Sequence, residues 1–208
     1  MIDALSLLDY RRRVSALYAE VREQLDRDAA GAHAHWRAVR DQLFGHHPQS
    51  ALPAGQREDF LSLRYYDYDP QWALRAPVDT EVEPQRYEIG TSTGGLMALV
   101  RIGRVSLPGG TLDAYWLDDY GGGLFIPFRD ATGNDTTYGG GRYLVDTAKG
   151  SDLGSTPSNG LVCDFNFAYH PSCHYDPAYS CPLAPPDNWL DVRVEAGEQS
   201  YGWEGGTD

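Results

Sequence analysis

The stretch Leu96-Met97-Ala98-Leu99-Val100-Arg101-Ile102-Gly103-Arg104-Val105-Ser106-Leu107-Pro108-Gly109-Gly110-Thr111-Leu112-Asp113-Ala114-Tyr115-Trp116-Leu117 decides the fold class. Runs at Leu96 to Arg101, Arg104 to Leu107 and Leu112 to Leu117 are apolar or alternate with a period of two, which predicts strands. Glycine, proline or a few other residues separate them. Connections this short favour antiparallel pairing, since a parallel crossover needs about a dozen residues or more.

The same pattern extends in both directions. Strands are predicted upstream at Phe60 to Tyr66 and Gln85 to Thr91, and downstream at Leu124 to Phe128, Arg142 to Asp146, Leu161 to Phe167 and Leu190 to Ala196. Before residue 60 the period is helical. Val14, Leu17, Tyr18, Val21 and Leu25 mark one amphipathic helix, and Ala32, Trp36, Val39 and Leu43 mark a second after Gly31. The second must stop at Gly45-His46-His47-Pro48, because the residue before a proline is pushed out of helical space.

The expected fold is α+β: two N-terminal amphipathic helices on a mainly antiparallel β-sandwich or partly closed β-barrel. Residues 1–30 read as a helical extension peripheral to the core, 31–198 as one domain and 199–208 as a flexible tail. A chain of 208 residues suits one domain that buries roughly 70% of its unfolded surface. Its 23 glycines and 13 prolines fit many turns.

A formal charge of −13, from 30 acidic against 17 basic residues, argues against a phosphate-binding face and hence against nucleic acid as a partner. Arg11-Arg12-Arg13 is the basic run, and it fits the solvated side of the first helix. Only Lys149 is a lysine. No segment approaches the ~20 apolar residues of a membrane helix, and Met1 to Asp9 lacks a secretion-signal pattern, so a cytoplasmic protein without a membrane partner is expected. Three cysteines are too few and odd in number for a disulfide framework, and they are expected to be reduced. Gly121-Gly122-Gly123 and Gly139-Gly140-Gly141 suit turns rather than phosphate cradles, since neither opens a helix or carries a P-loop lysine.

Polar chemistry collects near the C-terminal third. In an extended Leu161 to Ala168, Asp164 and Asn166 share one face with Val162 and Ala168, opposite Cys163, Phe165 and Phe167. A proline-rich segment follows, running through Tyr169-His170-Pro171-Ser172-Cys173-His174-Tyr175 to Cys181-Pro182 and Asn188. It cannot be regular, so side chains and turns must hold its backbone.

Three readings compete for it. One is a small-molecule pocket in which Asp164, Tyr169 and His170 face Arg142. There the guanidinium clamps an anionic group, and His or Asp moves a proton. Asp164, His170 and Tyr169 are then the catalytic candidates, with Arg142, Asn166, Tyr138, Cys173 and Asn188 binding the ligand. Arg142 is expected to pair with Asp164 across neighbouring strands.

The second reading is a transition-metal site such as zinc at His170, Cys173, His174 and Cys181, although the spacing matches no standard ligand motif. The third is a non-catalytic structural or interaction module in which these side chains only tie down the loop. Gly-x-Ser-x-Gly is absent, and no Ser-His-Asp set can be assembled from spacing. The leading expectation is a domain binding a small organic, anionic molecule, with cofactor-independent acid-base chemistry as its enzymatic form.

Several motifs together resemble a known family. They are Phe128-Arg129-Asp130, Thr137-Tyr138-Gly139-Gly140-Gly141-Arg142-Tyr143-Leu144, Asp164-Phe165-Asn166-Phe167-Ala168-Tyr169, Cys181-Pro182-Leu183-Ala184-Pro185-Pro186 with Asn188, and Ala196-Gly197-Glu198. With Trp36-Arg37-Ala38-Val39-Arg40-Asp41 and His47-Pro48-Gln49-Ser50, they are similar to domain-of-unknown-function family 1684 from about Trp36 to Glu198. The resemblance implies a shared scaffold with a polar cluster at Arg142, Asp164, Asn166, Tyr169, Cys173 and Cys181, and no particular reaction. The family pattern carries Asn at the place of His170 and Ala at that of His174, so both imidazoles are additions. The first thirty residues also look extra, suited to covering an apolar edge or forming a homo-oligomer contact.

Overall fold

The computed structural model describes residues 3–158 and 160–201. Helix α1 (Ala4–Leu25) starts where the Asp3 carboxylate accepts the Leu5 N–H, and α2 (Ala29–His46) starts where Asp28 accepts that of Gly31. At the end of α2, His47 is extended, as Pro48 requires. A single turn, α3 (Ala54–Arg57), precedes the strands. These are β1 (Arg64–Tyr65), β2 (Ala73–Ala76), β3 (Val78–Asp79), β4 (Arg86–Gly90), β5 (Leu96–Leu107), β6 (Gly110–Leu117), β7 (Leu124–Phe128), β8 (Arg142–Asp146), β9 (Leu161–Asp164) and β10 (Glu198–Gln199).

The fold is α+β with antiparallel strand ladders, and no sheet closes into a barrel. Six strands form the main sheet in the order β3-β5-β6-β7-β8, with β4 also on β5, while β1–β10 and β2–β9 are separate ribbons. The two strands predicted over 96–107 are one strand with a bulge between Arg101 and Gly103. Gly103 is needed there, because a Cβ would lie 2.5 Å from the Val78 side chain on β3.

Both faces of the main sheet are covered. On one, Leu99, Tyr115, Phe125 and Tyr143 pack with Trp36, Tyr65, Phe167 and the helices; on the other, Val105, Leu112, Ile126 and Phe128 pack with Cys163, Phe165 and the 190–196 segment. Leu17, Tyr18, Val21 and Leu25 of α1 are buried in the first cluster, so this helix belongs to the core and is not a peripheral extension.

Three strand expectations need correction. Of Phe60 to Tyr66 only Arg64–Tyr65 pairs. Leu161 to Phe167 divides after Asp164 into a 3-10 turn at Phe165–Phe167, so the predicted alternation ends there. Leu190–Ala196 forms no strand, because side chains take its backbone groups: Asp130 accepts the Val194 N–H at 2.8 Å, and Arg142 donates to the carbonyls of Val194 and Ala196.

The first residues of the expected tail are tied down. Gln199 pairs with Arg64 in β10, Ser200 N–H donates to Thr136 O, and Tyr201 packs on Phe60; residues 202–208 lie outside the described ones. Among the described residues no helix is long and apolar enough to cross a membrane.

Candidate functional site

Strand β8 delivers the irregular segment to its place. Tyr143 and Tyr169 exchange backbone hydrogen bonds of 2.8 and 3.2 Å, which sets His170 beside α2 and β10. Glu198 lies at the centre of this junction and is fully buried. One carboxylate oxygen accepts from Arg40 Nη2 at 2.8 Å and from the His170 N–H at 3.0 Å, and the other accepts from the Tyr175 hydroxyl. Burial raises the Glu198 carboxyl above its ordinary range, against the opposing pull of Arg40 and Tyr175. Arg40 also donates to the Tyr65 hydroxyl at 3.1 Å, and its guanidinium lies 4.8–5.3 Å from the rings of Trp36, Tyr169 and Phe44.

The His170 ring is buried. Its Nε2 accepts the Tyr138 N–H at 3.2 Å, which assigns the proton of the neutral ring to Nδ1. That N–H has no acceptor among the described residues. Burial, reinforced by His174 and Arg142, holds the imidazole well below its usual pKa and therefore neutral. His174 lies with its ring centroid 4.4 Å away, accepts the Tyr201 N–H at 3.3 Å, and is lowered to about 4 by burial.

His170 lines a cavity of about 80 Å³ between α1, α2 and the loop, whose walls include Tyr10, Tyr18, Arg40, Lys149 and Tyr169. Lys149 also lines a wider cleft of about 310 Å³ with Arg11, Asp146, Met97, Leu117 and Phe125. A one-turn 3-10 helix, Thr147–Lys149, fixes the start of this lysine: buried Asp146 caps the Lys149 N–H and has its Oδ2 3.8 Å from Nζ. The Tyr169 hydroxyl donates to that carboxylate at 3.4 Å, and burial raises the Asp146 carboxyl above its usual range. A still larger groove, about 810 Å³, runs along α1 and α2. Asp9 there pairs with Arg13 at 2.8 Å and with His47 at 3.2 Å. Ser6 Oγ in the groove also has no partner among the described residues, but Ser6 is only half-buried; the smaller cavity is the better candidate because its unpartnered group is a ring N–H on a buried histidine, in a wall shared with Arg40 and Lys149.

The residues singled out in sequence do not form one site. Tyr169 and His170 reach the cavity, but Asp164 does not: its Oδ1 accepts Asn166 N at 2.9 Å and Nδ2 at 2.8 Å, while Asn166 exchanges two 2.9 Å bonds with the Asp69 backbone. Burial lifts the Asp164 carboxyl to about 6.

Arg142 does not pair with Asp164. Its partner is Asp130 at 3.1 Å, and its two Nη atoms also serve the carbonyls of Val194, Ala196 and Glu198, while its buried Nε has no partner among the described residues. The two strands are not paired neighbours, because β8 pairs with β7 and β9 with β2. Asn188 is an anchor as well, bonded to both backbone groups of Asp113 and to Pro127 O at 2.7–3.0 Å.

Nor does the alternative metal set assemble. Among the described residues no group of three or more His, Cys, Asp and Glu side chains is placed to hold a metal, and the Nε2 atoms of His170 and His174 already accept backbone N–H groups. Cys173 and Cys181 instead contact each other, with Tyr138 beside them.

Arg40, Lys149, Glu198, Tyr10 and Tyr18 were missed as site residues. Arg40 and Glu198 lie inside quoted family motifs and Lys149 is the lone lysine, but spacing carries no sign that they approach one another.

The architecture thus defines an α+β protein of antiparallel sheets with a small polar cavity under its N-terminal helices. The chain belongs to the DUF1684 family, proteins of unknown function, whose model matches residues 58–199. It is similar to an uncharacterized protein from Haloarcula marismortui with a solution NMR structure, at 33% identity over 85% of this chain and 96% of that one, with a TM-score of 0.57. No curated protein matches the chain.

Proposed function

We propose that the protein binds a small organic anion in the cavity between α1, α2 and the His170 loop. The observation that carries this reading is the buried Nδ1–H of His170, which has no acceptor among the described residues and lies on a residue of the cavity wall. A buried donor left unpaired costs about 1–3 kcal/mol, which a ligand oxygen would recover. Arg40 and Lys149 in the same wall favour a carboxylate, while Tyr10 and Tyr18 offer aromatic surface to its carbon skeleton.

The volume of about 80 Å³ suits a ligand of a few heavy atoms, on the scale of about 30 Å³ per water. Binding accounts for His170 better than acid-base catalysis does. Its Nε2 lone pair is already engaged and its pKa lies well below the usual value, so the ring serves as a neutral donor.

The test is NMR observation of the His170 Nδ1 resonance during titration with acetate, glycolate and uncharged acetamide. The carboxylates should shift it and acetamide should not, and a folded His170→Phe variant should lose the corresponding heat in calorimetry. No shift at millimolar carboxylate, or an equal shift with acetamide, would sink the anion reading.

A further inference from the structure

Outside the cavity, two thiols meet. Cys173 lies in the 3-10 turn Ser172–His174, and Cys181 precedes the bridge between Pro182 and Thr91. The Cys173 N–H donates to Cys181 Sγ at 3.4 Å. All three cysteines are free thiols and all are buried, Cys173 the least so at 8% exposed. Cys163 stands apart in the other core cluster, fully buried.

We propose that Cys173 and Cys181 form a reversible dithiol–disulfide pair, with Cys173 as the thiol attacked first by a hydroperoxide and Cys181 as the resolving thiol. The Cys173 thiolate attacks one peroxide oxygen, the O–O bond breaks, and the departing alkoxide or hydroxide takes a proton to leave as alcohol or water. Cys181 sulfur then attacks the sulfenic sulfur; the S–S bond forms, the S–O bond breaks, and the released hydroxide takes the Cys181 proton to become water. Two thiols lose two electrons and two protons, and the peroxide gains both.

The bond from the Cys173 amide to Cys181 Sγ sets the two cysteines side by side, the proximity that the second step needs. The division of roles follows from the surroundings. Hydrogen bonding from Cys181, and more weakly from Tyr138, outweighs burial and draws the Cys173 thiol down to about 6, whereas the same bond and burial push Cys181 up. The Ser92 hydroxyl also lies close, but its proton goes to Tyr179 O at 2.8 Å. Cys163, pushed up to about 12 by burial alone, is an internal control for an inert thiol.

The full chain, reduced and desalted without oxygen, is treated with stoichiometric hydrogen peroxide. It is quenched over time in denaturant with an alkylating reagent, then mapped by mass spectrometry without reductant. The expected product is a Cys173–Cys181 linked peptide that dithiothreitol reverses, with Cys163 fully alkylated. In Cys181→Ser, a dimedone-type probe should trap sulfenic acid at Cys173, and in wild type the rate of oxidation should rise with pH through a midpoint near 6. Oxidation of Cys173 no faster than that of Cys163, or higher acids at Cys173 without a link, would overturn the proposal. The wild-type map decides this even if the serine variant does not fold.

Discussion

Two buried arginines hold this molecule together in different ways. Arg142 is 1% exposed and sits among Asp130 and three backbone carbonyls, so its polar contacts are all with the protein's own groups. Arg40 shares Glu198 with the His170 N–H and Tyr175, but it lines a cavity together with a histidine whose ring N–H is unpaired. The first is closed over by protein, with only the buried Nε of Arg142 lacking a partner among the described residues, and the second is open, bordering a cavity. A dense polar cluster therefore does not by itself mark a site; space next to an unsatisfied group does.

The largest expected effect removes one wall of the open region. Deleting residues 1–30 exposes the surfaces that Leu17, Tyr18, Val21 and Leu25 cover. At about 1.5–3 kcal/mol per buried side chain, the loss rivals the whole stability of about 5–15 kcal/mol for a domain. Cooperative thermal unfolding should disappear in calorimetry. A truncated chain that melts cooperatively near the wild-type temperature would return α1 to the periphery.

Next comes the closed region itself. Arg142→Met leaves Asp130 buried and unpaired and should cost about 3–5 kcal/mol in denaturant unfolding. A double-mutant cycle with Asp130→Asn should show coupling, whereas one with Asp164→Asn should be additive within about 0.5 kcal/mol. Coupling to Asp164 instead would restore the pairing read from the sequence.

The open region predicts a smaller stability effect. His170→Asn keeps a donor of suitable size, so its stability should change by less than about 1 kcal/mol. Carboxylate binding measured by calorimetry should nevertheless weaken by roughly tenfold, the worth of about 1.4 kcal/mol. A larger loss of stability than of affinity would make His170 a packing residue.

Titration gives the smallest and most local test. Burial depresses His33 and His174 to about 4 and holds His170 well below its ordinary value. A base with a depressed folded pKa stabilises the native state above its unfolded pKa of about 6.5, and that contribution is lost as pH falls toward the folded value. Asp164, raised to about 6, acts in the opposite sense, and its contribution is lost as pH rises from about 3.9 to 6. At pH 5.5, NMR should find His33, His170 and His174 neutral, and His174→Ala should flatten the fall in stability between pH 6.5 and 4. A protonated His170 at pH 5.5 would break the assignment of Nδ1 as a neutral donor.

The sequence by itself determined what depends on local pattern. Helical periodicity placed α1 and α2, the His47-Pro48 step ended α2, and period-two runs located β4 to β8, because neighbours along the chain impose these choices directly. The motifs from Phe128 to Glu198 identified the family. Tertiary structure alone decided which strands pair, and therefore where buried charges find partners. Asp164 looked available to Arg142 only while β8 and β9 were assumed to be neighbours, and the pairing of β9 with β2 sent the guanidinium to Asp130. Arg40, Lys149, His170 and Glu198 meet across more than a hundred residues of chain, and the low-dielectric junction that shifts the titration of His170 and Glu198 exists only once α1 and α2 have packed over the loop.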